Sequence, residues 1–237
     1  LLLLATGGVA SEGWWSLQPL AKVDLPSDGL AKHPIDAFVQ QRLAKDGLTP
    51  SPPAEPRTLI RRLHFDLLGL SPSPETVAEF VGNPTDPAYH QLIDRLLASP
   101  RYGERWARHW LDVARYVQGK TKVAIVDRVD MAEPYRDYVI RALNADKPYD
   151  RFVTEQLAGD LLPDSKDPIA SLDQMAAPGF LAIGPWFSDC ADPNTLRMDI
   201  IDEQISATSQ AFLGMNLSCA RCHDHLFDPI PTRDYYA

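Results

Sequence analysis

Apolar residues in this chain recur three and four apart, and most of the runs they form are bounded by proline. That spacing puts each run on one face of a helix. Proline lacks an N–H and fixes φ, so it is tolerated in a helix's first turn and disruptive further in. With 21 prolines in 237 residues, the chain is restricted to many helices of modest length. The pattern predicts a first helix from Pro34, with Ile35, Phe38, Val39 and Leu43 on one face and Gly47 as its stop. Leu59, Ile60, Leu63, Leu67 and Leu68 mark a second, ended by Gly69. Ser73-Pro74 opens a third with Val77, Phe80 and Val81. Asp86-Pro87 opens a fourth with Leu92, Ile93, Leu96 and Leu97, closed by Ser99-Pro100.

A fifth helix is expected over 102–117. Its apolar stripe reads Tyr102, Trp106, His109 or Trp110, Val113 and Val117, and Arg105, His109, Asp112 and Tyr116 share the adjoining face. His109 and Asp112 are therefore either a buried hydrogen-bonded brace or the catalytic wall of a pocket. Two further helices are expected, one opening at Glu133-Pro134 with Tyr135, Tyr138, Val139, Ala142 and Leu143, and one capped by Asp150 with Val153, Leu157 and Leu161 facing inward. The last long one covers 195–212, with Ile201, Ile205, Thr208 and Phe212 inward and Gly214 at its end. Residues 123–126 read as a loop or hairpin edge, 163–168 as a linker-like turn, and 178–193 as a buried irregular segment holding Phe180, Leu181, Ile183, Trp186 and Phe187. The expected fold is mainly α: an irregular multi-helix domain with long Pro/Gly-rich loops.

Five residues past Gly214 stands Cys219-Ala220-Arg221-Cys222-His223, the CxxCH attachment pattern of a c-type haem, which predicts a CxxCH turn near the C-terminus with Ser218 as its cap. Cysteines three apart share a face of one turn, so both thiols can join the two vinyl groups of one porphyrin while the adjacent imidazole reaches the iron. Cys219 and Cys222 are the candidate attachments and His223 the proximal ligand. His225 follows too closely to cross to the opposite porphyrin face, so a sixth ligand is expected from another helix, His109 first and Met198 second. Zinc or another divalent metal is the alternative, using His223, His225, Asp224 and Asp228 beside the cysteines. Neighbouring Cys222 and His223 fit one tetrahedral ion poorly. Thiol exchange is weaker, because CxxC redox centres sit in a βαβ setting and this context is helical. Asp224 and His225 are equally readable as hydrogen bonders and Asp228-Pro229 as a turn.

A net charge of −9 argues against nucleic acid or an anionic membrane surface as partner, since both need a basic face. Leu1-Leu2-Leu3-Leu4-Ala5 and Gly7-Gly8-Val9-Ala10 read as a signal-peptide remnant over 1–10 with a cleavage site near Ala10, and no membrane span is expected after it. Export to the periplasm or cell surface is coherent with haem c. Three cysteines are too few for a disulfide scaffold, and Cys190, left over, is expected to be buried. Residues 11–32 carry Trp14 and Trp15 but no period, and read as an irregular arm.

Trp14 to Pro19, His33-Pro34-Ile35-Asp36, Arg57 to Arg62, Phe65-Asp66-Leu67-Leu68-Gly69-Leu70, Tyr102 to Asp112 and Cys219 to Pro229 together resemble a planctomycete cytochrome-type domain family of unknown function. The resemblance implies an exported, largely helical cytochrome-type domain over 33–237 with haem, truncated at its C-terminus and often followed by a further domain. It departs at residues 117–120, where the usual acidic segment reads Val-Gln-Gly-Lys. Three functions remain open. One is an electron carrier serving a redox partner, and a second is part of a haem-dependent oxidoreductase with its pocket at His109 and Asp112. The third is a metal-stabilised structural or hydrolytic module.

Overall fold

The computed structural model describes residues 18–26, 33–116, 129–184 and 192–236. The leader, Trp14 and Trp15, residues 117–128, Trp186, Phe187 and Cys190 lie outside them. The described residues are mainly helical and contain no strand: α1 Pro34–Lys45, α2 Pro56–Leu68, α3 Pro74–Gly82, α4 Asp86–Leu97, α5 Pro100–Val113, α6 Val129–Asn144, α7 Tyr149–Ala158, α8 Pro168–Ala176, α9 Gly179–Ala182, α10 Pro193–Thr208 and α11 Thr232–Tyr235. No described helix is long and apolar enough to cross a membrane.

The helix starts follow from side-chain oxygens that satisfy first-turn N–H groups. Ser73 accepts from Thr76, Thr85 from Ala88, Ser99 from Arg101, Asp167 from Ile169, and Asp192 from Asn194 and Thr195, each followed within two residues by proline. Ser99-Pro100, expected to close the fourth helix, does follow the end of α4 at Leu97 and also opens α5. That helix stops at Val113, four residues early, because Arg115 turns left-handed at φ 57°. Helix α6 begins a turn before Pro134, α7 starts at Tyr149 after Pro148 rather than being capped by Asp150 and leaves Leu157 and Leu161 exposed, and α8 lies outside the predicted helices. After α10 one wider turn, Ser209–Leu213, ends where expected at Gly214, whose φ is 65°.

The chain divides into two compact units, residues 1–55 and 56–237. In the first, residues 18–26 are irregular and α1 follows. Ile35, Phe38 and Val39, expected to face inward, are exposed, and Ala37 is buried. In the second, two apolar clusters form. Ile60, Phe80, Leu92 and Leu96 join α2, α3 and α4. A larger cluster, including Leu111, Tyr135, Tyr138, Val139, Phe152 and Phe180, joins α5, α6, α7, α9 and α10. Helix α5 lies between them, against α2 and α6. At the turn after α2, a Cβ on Gly69 would come 2.8 Å from Cδ of Arg105.

The buried face of α5 differs from the expected aromatic stripe. Gly103, Ala107, Leu111 and Ala114 are buried, whereas Trp106 and Val113 are 39% and 46% exposed. Close approach to α6 selects small side chains at the contact and turns the large ones outward. At Gly103 a Cβ would sit 2.6 Å from Cγ of Asn144. The Gly103 N–H donates to Asn144 Oδ1 at 2.8 Å, and Asn144 Nδ2 donates to the Pro100 carbonyl at 3.0 Å. One amide side chain thus closes the end of α6 onto the first turn of α5.

Most polar groups inside the larger cluster are paired, the buried Gln156 Nε2 being an exception. Trp110 Nε1 donates to Tyr135 Oη at 2.9 Å and to Gln156 Oε1 at 3.1 Å, and Tyr135 donates to the same Gln156 oxygen at 2.5 Å. Glu155 receives Tyr138 at 3.1 Å, Arg151 at 2.8 Å and the Lys147 ammonium. Burial alone would raise the Glu155 carboxyl, but the bonds from Lys147 and Arg151 outweigh it and hold the group below the ordinary glutamate range.

Two substitutions test these contacts. Gly103→Ala should cost about 1–3 kcal/mol in denaturant unfolding, because Asn144 must leave both of its bonds. Glu155→Gln should cost about 3 kcal/mol near neutrality, since it removes the carboxylate facing Lys147 and Arg151. A depressed carboxyl stabilises the fold above the unfolded value of about 4.3 and loses that contribution as pH falls through the lower folded value. The stability gap between Glu155→Gln and the parent should therefore narrow on acidification below about pH 4.

Candidate functional site

Helix α10 is the platform of the site. Two arginines from different segments grip its carboxylate-bearing face. Arg115, just past the end of α5, pairs with Glu203 at 2.5 Å and donates to the Phe180 carbonyl at 3.2 Å. Arg221, inside the CxxCH sequence, pairs with Asp202 at 2.7 Å and Asp199 at 3.1 Å. Tyr235 of α11 donates to Asp202 at 2.7 Å, and Tyr236 donates to the Arg221 carbonyl at 3.0 Å. Burial and the Asp202 carboxylate both push the Tyr235 hydroxyl up, so it stays a donor. Ser218 donates to Ser206 of α10 at 2.9 Å.

These contacts hold Leu217–Arg221 as a single tight turn against α10, with Cys222 at its end. The expected cap was Ser218. Its hydroxyl is engaged by α10 instead, and Asn216 caps the turn by accepting from the Ser218 N–H at 3.1 Å. Ala220 is fully buried beneath the turn, while Cys219, Cys222 and His223 are exposed and both thiols are free. The His223 ring contacts the Asp224 carbonyl at 2.8 Å through Nδ1.

Residues 224–232 form a knitted loop. Asp224 Oδ1 accepts from the Thr232 N–H at 2.8 Å and so caps α11. His225 Nδ1 accepts from the N–H groups of Asp228 at 2.8 Å and Phe227 at 3.3 Å, and lies 3.4 Å from Asp228 Oδ2. At its tip Leu226 and Phe227 are 75% and 76% exposed. Among the described residues no three His, Cys, Asp or Glu side chains converge to hold a metal ion. Asp224 and His225 direct their acceptors at backbone N–H groups.

A cavity of about 750 Å³ opens between α5, α10 and the CxxCH turn. Asp112, Arg115, Asp199, Glu203, Ser218 and Arg221 are among its lining residues. The structure thus brings Asp112 to the same cavity wall as the CxxCH segment. Neither cysteine lines it, nor do His109 or Met198. The buried His109–Asp112 brace does not form. His109 is exposed with its ring against Trp106 at 5.5 Å, and Asp112 makes a solvent-exposed pair with Arg108 at 3.2 Å, worth under about 1 kcal/mol. The brace on this helix is instead made by Trp110, Tyr135 and Gln156.

The α10 carboxylates were missed in the sequence. Asp199, Asp202 and Glu203 look like a solvated helix face, and their arginine partners lie 22, 19 and 88 residues away. The one available signal was the arginine between two cysteines, a charge that needs a counterion if the turn packs on the domain.

A family model, PSCyt2, described as a protein of unknown function (DUF1549), matches residues 34–237. The chain belongs to the PSCyt2 family. The match runs from the start of α1 through α11 and includes the CxxCH turn. No curated protein and no solved structure matches the chain.

The exposure of both thiols in this PSCyt2 domain has a direct consequence. In haem-free protein, Cys219 and Cys222 should be alkylated by a maleimide without denaturant, as read by peptide mass, whereas protection of either would contradict the exposed placement.

Proposed function

We propose that this PSCyt2 chain is an exported, c-type-cytochrome-like redox domain that holds one covalent haem through Cys219 and Cys222, with His223 as the proximal iron ligand. The observation that carries this reading is the placement of two free, exposed thiols and an exposed imidazole on one short turn anchored to the domain by Arg221, Ala220 and Ser218. The chemistry of that set fits haem c. Thioether formation needs reduced thiols that can be reached, and His223 meets the Asp224 carbonyl through Nδ1, so Nε2 is the nitrogen that would bind iron. The cytochrome in the family's name points the same way.

When bound, the haem would supply one-electron chemistry, carried to or from a redox partner at the periplasmic or cell-surface location expected for such proteins. This chain's residues do the rest. Arg221 bridges Asp199 and Asp202 and ties the turn to α10, and Ser218 ties its start to Ser206. Asp112 and the α10 carboxylates make the neighbouring cavity acidic, with four carboxylates against Arg115 and Arg221. A substrate taken there for oxidation or reduction would be neutral or cationic rather than anionic.

The test is expression with export through cytochrome-maturation machinery. The parent should gain one haem mass that survives denaturation, and the double variant Cys219→Ser, Cys222→Ser should gain none. Colourless, unmodified parent protein from a host that matures a control cytochrome would overturn the reading. His223→Ala should retain attached haem but lose the parent's visible spectrum, because only the axial bond is removed.

A further inference from the structure

His225 is a candidate metal ligand by sequence, yet its geometry assigns it other work. Its Nδ1 accepts two backbone N–H groups, from Asp228 at 2.8 Å and Phe227 at 3.3 Å. Both N–H groups converge on the one nitrogen, so Nδ1 serves the loop as an acceptor and Nε2 is the ring's remaining polar position. The side chain is 8% exposed, and the His225 N–H donates to the Ile230 carbonyl at 2.9 Å. Asp224 closes the other end of the loop through Thr232. Four bonds therefore fix a short loop whose tip presents two large apolar side chains to solvent.

We infer that His225 is a positioning residue, acting through Nδ1 to set the loop so that Leu226 and Phe227 form the apolar cover of the haem joined at Cys219 and Cys222. The inference rests on the haem reading above. Its occupant follows from reach and from chemistry. Leu226 and Phe227 stand four and five residues after Cys222, so their backbones lie within about 14–18 Å of the attachment point whatever the path. A porphyrin joined there is a large apolar surface held within that radius. Two adjacent exposed apolar residues on a loop knitted by four bonds are costly to leave in water, and a mobile tip would not need such bracing.

Side-chain substitutions separate this role from iron ligation. Asn places its Oδ1 where the His Nδ1 stands, so His225→Asn retains the acceptor for the loop. Gln places its oxygen nearer the Nε2 position and does not. In haem-free protein, amide exchange at Phe227 and Asp228 should be about tenfold faster in His225→Ala and His225→Gln, and restored in His225→Asn. In haem-loaded protein, His225→Asn should keep the parent's spectrum and potential. Leu226→Ser and Phe227→Ser should keep the haem attached but lower its potential, since a wetter haem favours the oxidised form. An Asn variant that loses the parent's spectrum as fully as the Ala variant would make His225 an iron ligand and overturn the inference. So would an unchanged potential in both serine variants. Failure of the haem reading itself looks different: the parent takes no haem, and the cover falls with it.

Discussion

The contact between α5 and α6 is the constraint on which the larger unit depends. Gly103, Ala107, Leu111 and Ala114 let the two helices approach closely, and Asn144 locks their ends through the Gly103 N–H and the Pro100 carbonyl. Small residues contribute little apolar area themselves, but they allow Tyr135, Tyr138 and Val139 to be buried completely. The same register carries the end of α5 to α10. Arg115, turned left-handed, reaches Glu203 and the Phe180 carbonyl from there.

The CxxCH turn is therefore held at the end of a chain of charge pairs rather than by a large core of its own. Arg221 connects it to Asp199 and Asp202, Tyr235 shares Asp202, and Ala220 supplies the one fully buried side chain of the turn. Polar anchoring of this kind leaves Cys219, Cys222 and His223 exposed among the described residues. The cavity is lined by Ser218 and Arg221 of the same segment and by neither cysteine. A single short segment thus serves both a thiol-bearing surface and an acidic pocket.

Much of the architecture was legible because its signals are local. Ser73-Pro74 and Asp86-Pro87 announce helices at their first turns, and Gly69 and Gly214 end helices at φ values that favour glycine. The CxxCH segment was legible for the same reason, as a pattern within five residues. The inward face of α5 was misread because hydrophobic patterning ranks Trp106 and Val113 above Gly103 and Ala107, whereas close helix packing reverses that order. The brace was likewise misassigned. His109 and Asp112 are neighbours on one helix, but Trp110 finds its partners 25 and 46 residues away in Tyr135 and Gln156. Neither spacing nor composition encodes such distances, and the α10 carboxylates that seat Arg221 were hidden in the same way.

The most direct measurement is the pyridine haemochrome spectrum of denatured protein matured outside the cytoplasm. Denaturation removes every axial and packing contribution, so the band position reports only how many vinyl groups have been consumed by thiols. The expected result is a single haem with both vinyl groups saturated, matching attachment at Cys219 and Cys222. A spectrum of unmodified haem released into the solvent, or no haem at all, would contradict it.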